Sequence, residues 1–486
     1  MNSLGHYRRW TIFLILLLTI FRFWFCTYYE LIEDESYYRL WSKHLDWSYY
    51  SKGPVIAWTI YAGTALMGDT VFGVRWISVV LSGLSGWMIY WLGSRLWNER
   101  VGFWGVVIAM TLPIYAVGSV LMTIDPLSVF FWLLAAHLFL NAIEENRWYH
   151  WIGCGIVVGL GFLAKFINAI ELLCFLLFLA SDPEKRRRLS EKGFYLMLLT
   201  VALGTLPVIY WNSQHGWITA THLQERGALN HPFQIRLGET LQFLYMQAVV
   251  ISPLYFLGMI VASFLSLKVF QSPTVENRGV RFASALFLPI FIFYFILSLN
   301  DNGEANWTAT GLTGGILLIA NLGVTWVEKS SRAWIAVLVI LGFALLETVL
   351  LHDVVRFGVP MKSDPAARLR GWSDLAQKVE SVRQPQDLII GNKYQTASIL
   401  SFYLPDRPTT YIPKTERIQN QFSFWPSYEL NKESRGILIT DSIDEIPDAL
   451  KLQFATIEKV ADFYRQDRGR DLKRYQLYRL EKPIGF

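Results

Sequence analysis

Long apolar runs separated by short polar stretches fill the first 352 positions of the chain. They lie near 10–29, 72–95, 102–121, 126–142, 150–166, 167–180, 193–211, 239–267, 281–299, 309–327 and 333–352. A bilayer crossing takes roughly 20 apolar residues, so the pattern predicts about eleven transmembrane helices. The stretch 54–67, PVIAWTIYAGTALM, is apolar but short for a crossing and reads as an in-plane or re-entrant segment. From 353 onward the pattern is polar, turn-rich and charged. QDLIIGNKY, PTTYIP, GILITDS and KRYQLYRLEK read as short strands, and ARLRGWSDLAQKVESV and QTASILSFYL as helices. The expected fold class is a polytopic α-helical membrane protein, residues 1–352, with a small C-terminal α/β domain, residues 353–486.

Composition sharpens this picture. The 486 residues are 53% hydrophobic and only 17% charged, against about 25% charged in soluble domains. The net charge of +5 is small and falls mostly in short loops, where it reports topology rather than a nucleic-acid partner. The positive-inside rule puts Arg8 and Arg9 in the cytoplasm. Parity then gives the cytoplasmic loops Arg95, Arg100, Arg147, the run Lys185 to Arg188, Lys192, Arg278, Arg281, Lys329 and Arg332. The loop 300–308, NDNGEANWT, has no basic residue. The same parity places residues 31–58, Asp125, the loop 212–236, the loop 300–308 and the tail outside. The expected orientation has the N-terminus cytoplasmic and the tail on the outer side of the membrane. The first apolar run is too long for a signal-peptide core and reads as an uncleaved span. Cys26, Cys154 and Cys174 lie in apolar segments and read as small core residues, and the eight His are scattered with no HExxH. The tail contains no nucleotide phosphate-binding motif.

Residues 31–58, LIEDESYYRLWSKHLDWSYYSKGPVIAW, set Glu33, Asp34 and Glu35 among Tyr37, Tyr38, Trp41, Trp47, Tyr49 and Tyr50. Asp34 is a good N-cap for a helix beginning near Glu35, whose aromatic face suits the membrane interface. Asp125, in VLMTIDPLSVF, stands between two apolar spans. A carboxylate there is costly without a partner or a cavity, although it also suits capping the helix that Pro126 opens. Lys165, in GLGFLAKFINAIEL, and Lys52, in YYSKGP, either snorkel to the interface or meet an anionic headgroup. A lipid phosphate needs cations and donors, and a hydroxyl nucleophile needs a carboxylate to take its proton. The set suits a reaction that consumes a lipid-phosphate-linked sugar.

The order of DESYYRLWSKHL, YYSKGPVIAW, TIDPLSVFF, GLGFLAKF, PVIYWNSQHGWITATHLQER, NDNGEANWTA, RLRGWSDLA and YQTASILSFYLPDRP resembles bacterial membrane glycosyltransferases. These are the dolichyl-phosphate-mannose protein mannosyltransferase-like group, close to the lipid A aminoarabinose transferases, in the GT-C superfamily. The resemblance covers nearly the whole chain and implies a bacterial inner membrane, with the N-terminus cytoplasmic and the tail periplasmic or extracellular. It implies a polyprenyl (undecaprenyl-type) phosphate sugar donor and inversion at the anomeric carbon, with a lipid, glycan or protein as acceptor. It implies Asp34 as the catalytic carboxylate and Asp125 as the second acid, with Lys52 and Lys165 near the donor phosphate. Glu304, Asn306 and Trp307 then touch sugar or acceptor, and His222 falls in a matching outer loop. Glu35 and Tyr50, beside these motifs, complete the expected substrate-binding set. Where the aminoarabinose transferases have an acid before the Lys of the second motif, this chain has Ser51. No cofactor is firmly implied, and a divalent metal held by that acid is not carried over; lipid A as acceptor is not carried over either. The rival readings are a lipid-linked glycan ligase, a sugar-lipid flippase or transporter, and a non-enzymatic receptor.

Overall fold

The computed structural model describes residues 4–227, 232–271, 274, 277–301, 303–352, 367–415 and 417–484. The chain divides into two compact units. One, the helical unit, is built from residues 1–26, 46–56 and 75–351. The other, the sheet unit, gathers residues 27–45, 57–74 and 352–486. The predicted start of the tail, 353–366, lies outside the described residues.

Six helices among the described residues are long and apolar enough to cross a membrane: Val71–Leu96, Ile124–Glu145, Lys192–Gln214, Pro253–Phe270, Arg278–Ser298 and Ala333–His352. The chain is a polytopic membrane protein with a small C-terminal sheet. Two predicted spans are broken. The run 102–121 divides into Glu99–Thr111 and Pro113–Gly118 with Leu112 extended between them, and 239–267 divides into Leu237–Ile251 and Pro253–Gln271. In each, a proline opens the second helix. It lacks the N–H that would continue the ladder and pushes the preceding residue out of the helical region. The short segment 54–67 is one helix, Val55–Met67.

The core of the helical unit is aromatic. Phe139 stacks on Phe175 at 3.9 Å between near-parallel rings, and Phe282 meets Phe178 edge-on at 5.0 Å. Three of the helices that carry this cluster, Ile124–Glu145, Glu171–Ser181 and Arg278–Ser298, are thereby fixed against one another.

The sheet unit holds five strands in the order β2-β1-β3-β5-β4: β1 (Leu388–Gly391), β2 (Thr410–Tyr411), β3 (Gly436–Thr440), β4 (Phe454–Asp467) and β5 (Arg470–Pro483). β1 pairs in parallel with β2 and β3, while β5 runs antiparallel to both β3 and β4. Alternation along the strands separates two cores. Ile389, Ile437, Ile439 and Leu477 pack with Trp372, Leu375 and Val379 of the helix Trp372–Val382. Ile390, Leu438, Tyr478 and Leu480 pack with Tyr428, Leu450 and Phe454. β4 was not expected from the sequence. Its FATIEKVADFYRQD is charged along much of its length, and its ladder with β5 turns at Arg468 and Gly469, both at positive φ.

Candidate functional site

In the sheet unit the acids of the opening stretch belong to the helix Glu33–Lys43. Its N-cap is Ile32 rather than Asp34, because Glu35 reaches back and accepts from Ile32 N–H at 3.0 Å. That backward bond, one half of a capping box, starts the helix two residues earlier than the sequence suggests. Glu35 is fully buried. Glu33 accepts from Arg368 Nε at 3.0 Å, and Asp34 Oδ2 lies 3.6 Å from Arg368 Nη2. Burial lowers the Arg368 pKa, and Glu33 and Asp34 reverse that and raise it. Asp34 therefore has a cation beside it and keeps about a third of its side chain exposed. Tyr37 fastens the helix: its ring stands 4.4 Å from that of Tyr394, and its hydroxyl accepts from Gln421 N–H at 2.6 Å.

In the helical unit three predicted residues converge. Lys165 Nζ donates to Asp125 Oδ1 at 2.7 Å and to the Asn306 carbonyl at 3.4 Å. Asn306 Nδ2 donates to Asp125 Oδ2 at 2.6 Å. The local backbone explains the meeting. The helix Trp148–Ala164 stops at Lys165, whose φ of −150° is extended, and a 3-10 turn, Phe166–Ile170, follows. Asp125 lies in the first turn of Ile124–Glu145, and Thr123 is the N-cap, its hydroxyl accepting from Asp125 N–H at 3.4 Å. The Asp125 carboxylate is thus not the cap and is available to Lys165 and Asn306.

A buried polar layer supports this arrangement, and none of its members was singled out from the sequence. Ser128 donates to Asn168 Oδ1 at 2.5 Å and pairs with Thr310 at 2.7 Å, while Asn168 returns a bond to the Ser128 carbonyl at 3.0 Å. These residues lie on the same three segments that deliver Asp125, Lys165 and Asn306. Gln247 donates to the Ala305 carbonyl at 3.0 Å and accepts from Thr308 at 2.6 Å. The loop carrying Asn306 is held from both sides.

Lys52 lies in a turn that packs on the end of the Lys165 helix. A Cβ at Gly53 would stand 2.1 Å from the Leu163 carbonyl, so only glycine allows this approach. The neighbouring Tyr50 ring lies 4.7 Å from His222. Trp211 donates to Asp46 at 2.8 Å, tying the same segment to the helix Lys192–Gln214.

His222 opens a second cluster. With Glu225, Arg226, Asp301, Gly303, Glu304 and Trp307 it lines a cavity of about 450 Å³. Arg226 donates to Glu304 at 2.7 Å and sits 5.6 Å from the Trp307 ring. Burial, with Lys52 and Arg226 adding repulsion, lowers the His222 pKa to about 4, so the imidazole is neutral at pH 7. Arg226 was not predicted, although it stands one helical turn beyond His222 on Ile218–Arg226. Among the described residues no set of three His, Cys, Asp or Glu converges as a metal site.

Comparison with known proteins concerns the fold and the sequence as a whole. Residues 51–211 match the family described as dolichyl-phosphate-mannose-protein mannosyltransferase. The fold matches the crystal structure of ArnT from Cupriavidus metallidurans bound to undecaprenyl phosphate, with a TM-score of 0.63 at 14% identity over 96% of this chain and 97% of that one. The chain is similar to this family over residues 51–211 and shares the fold of ArnT. It is 26% identical over 290 residues to a lipid A galacturonosyltransferase of Rhizobium johnstonii, covering 60% of each chain. It is 29% identical over 213 residues to an undecaprenyl phosphate-α-4-amino-4-deoxy-L-arabinose arabinosyl transferase of Pseudomonas fluorescens, covering 40% of this chain and 35% of that one. The chain thus spans less than two thirds of the length of either relative.

Proposed function

We propose that this protein is an inverting glycosyltransferase that moves a sugar from a polyprenyl phosphate, of undecaprenyl type, to an acceptor on the outer face of the membrane. The acceptor presents a hydroxyl or phosphate oxygen and is a lipid, a glycan or a protein. The observation that carries the reading is the buried Lys165 ammonium, held by Asp125 and the Asn306 carbonyl beside the turn of Lys52. An ammonium kept at such a point stabilises a phosphate whose charge rises as it leaves.

The chemistry follows from these groups. The acceptor oxygen attacks the anomeric carbon, the bond from that carbon to the phosphate oxygen breaks, and polyprenyl phosphate departs with the electron pair. Asp34 takes the proton of an attacking hydroxyl as general base, with the Arg368 guanidinium 3.6 Å from its carboxylate. Lys165 and Lys52 stabilise the departing phosphate, and Asp125 with Asn306 positions Lys165. Phosphate is already an activated leaving group, so catalysis rests on positioning and proton removal. Support for the donor class comes from the arabinosyl transferase relative, named for an undecaprenyl phosphate sugar, and from the ArnT structure bound to that lipid phosphate.

The cavity beside His222 supports a finer reading of the sugar. Trp307 offers a flat apolar face, and three carboxylates, Glu225, Asp301 and Glu304, stand against the single guanidinium of Arg226. With His222 neutral, the balance is negative and favours a sugar carrying an amino group over a uronate. The test is transfer by purified protein in detergent, using radiolabelled polyprenyl phosphate sugars of both kinds and a membrane extract as acceptor. Label should move to the acceptor with release of polyprenyl phosphate, faster from the amino sugar, and Asp34→Asn should abolish it. Full activity in Asp34→Asn would remove the base assignment. Faster transfer of the uronate would overturn the reading of the sugar.

A further inference from the structure

A second charged cluster stands in the sheet unit, apart from the carboxylates assigned above. Asp69, in the link between Val55–Met67 and Val71–Leu96, is approached by three cations. Arg39 makes a two-pronged contact, with Nε on Oδ1 at 3.0 Å and Nη2 on Oδ2. Lys43 Nζ lies 3.0 Å and Arg407 Nη1 lies 3.1 Å from the same Oδ2. Burial opposes ionisation of Asp69, but Arg39 and Lys43 outweigh it and bring its pKa down to about 2.

The charges do not balance. One carboxylate faces three permanent cations, a surplus of two positive charges. Arg39 is buried and its demand is met by Asp69 and the Ser401 carbonyl. Lys43 and Arg407 differ, being 43% and 40% exposed. Because both touch one oxygen, their nitrogens stand within about 6 Å of each other, a separation that two oxygens of one phosphate can bridge. The pair is also preorganised. Arg39 and Arg407 both lie over the Phe402 ring, at 5.3 and 5.0 Å. Arg407 holds a φ of +48° directly before Pro408. A left-handed conformation is uncommon for a residue with a side chain, and a proline on its C-terminal side restricts it further. Strain of this kind persists where a side chain must be aimed.

The chain itself sets the depth of the cluster. Asp69 precedes by two residues the helix Val71–Leu96, which is long and apolar enough to cross a membrane. A residue so close to the start of a span lies at the level of lipid headgroups, where lysine and arginine meet lipid phosphate.

We propose that Lys43 and Arg407, clamped on Asp69 beside Arg39, form a docking site for the phosphate of an anionic membrane lipid. The occupant is a bilayer lipid rather than a free anion, because the site opens at headgroup depth and its two exposed cations match one phosphodiester. It is built from residues other than those of the donor phosphate site proposed above and is read without any transfer reaction.

The test is lipid retention by the full-length protein in nanodiscs of phosphatidylcholine containing phosphatidylglycerol, counted by native mass spectrometry after release. The wild type should retain phosphatidylglycerol in preference to phosphatidylcholine. Lys43→Gln/Arg407→Gln, which leaves the Arg39–Asp69 pair intact, should lower that preference several-fold, and Lys43→Gln alone should do so by less. Lys43→Arg/Arg407→Lys should restore it. Equal preference in the wild type and the double variant would overturn the proposal. So would complete displacement of the lipid by millimolar inorganic phosphate, which would identify a free-anion site.

Discussion

Lys165 and Asp125, forty positions apart in the chain, meet at 2.7 Å with both side chains largely withdrawn from solvent. Breaking one side of a buried ion pair leaves an uncompensated charge and costs about 3–5 kcal/mol. Asp125→Ala should therefore lower the thermal midpoint in detergent sharply. The double variant Asp125→Asn/Lys165→Met should be more stable than Asp125→Ala, because no ammonium is left stranded. Near-equal midpoints for the two would show that the pair carries no such strain.

Asp34 and Glu35 are adjacent carboxylates with separable roles. Glu35 accepts from the Ile32 N–H at the start of the helix, so Glu35→Ala, which removes that acceptor, should cost about 1 kcal/mol of stability and leave transfer largely intact. Asp34 stands beside Arg368 with part of its carboxylate open. Asp34→Asn should keep the midpoint and lower the transfer rate by about 10²–10⁴-fold, the usual worth of a general base. A transfer assay and a melting curve on both variants decide the matter. The reverse pattern would exchange the two assignments.

The pKa of His222 lies at about 4, pushed down first by burial and then by Lys52 and Arg226. An unfolded histidine titrates near 6.5, at about 6.5. Between these two values the unfolded chain binds more protons than the folded one, so stability rises with pH across that window. The contribution is complete above pH about 6.5 and is lost as pH falls toward about 4. Melting curves between pH 7 and pH 4.5 should fall more steeply for the wild type than for His222→Gln. Parallel curves would mean that His222 does not carry the effect.

The charged members of the site were legible because their surroundings make them conspicuous. Asp125 and Lys165 interrupt apolar runs, where a charge needs a partner. Their supports were hidden for the opposite reason. Ser128, Asn168, Thr310 and Gln247 are small or neutral polar residues in otherwise apolar stretches, and only their mutual contacts at 2.5 to 3.0 Å in the folded chain reveal a layer. Arg226 was readable in principle, four residues beyond His222 in THLQER. The strands β1, β2, β3 and β5 were found through apolar or aromatic runs bounded by turn residues. β4 escaped because its edge position leaves much of it facing water. Pro113 and Pro253 broke helices that hydropathy alone joined, since hydropathy does not register a missing N–H.

Gly303 offers a direct test of the cavity. It holds a φ of +61°, and a Cβ built there would stand 2.6 Å from the Trp307 ring. Alanine at this position meets two penalties. The left-handed backbone costs about 1–2 kcal/mol for a residue with a side chain, and the new methyl group must displace an indole that also faces Arg226 at 5.6 Å. Moving the indole disturbs the wall of the cavity. If Trp307 provides a binding face used equally in the ground and transition states, its loss raises KM and leaves kcat nearly unchanged. Gly303→Ala should therefore raise KM for the donor sugar by about tenfold, corresponding to about 1.4 kcal/mol, with kcat within about twofold. Trp307→Ala should act in the same direction, and the double variant should add little to it, because both changes remove one surface. A fall in kcat with KM unchanged would instead move Trp307 from the sugar to the reacting centre.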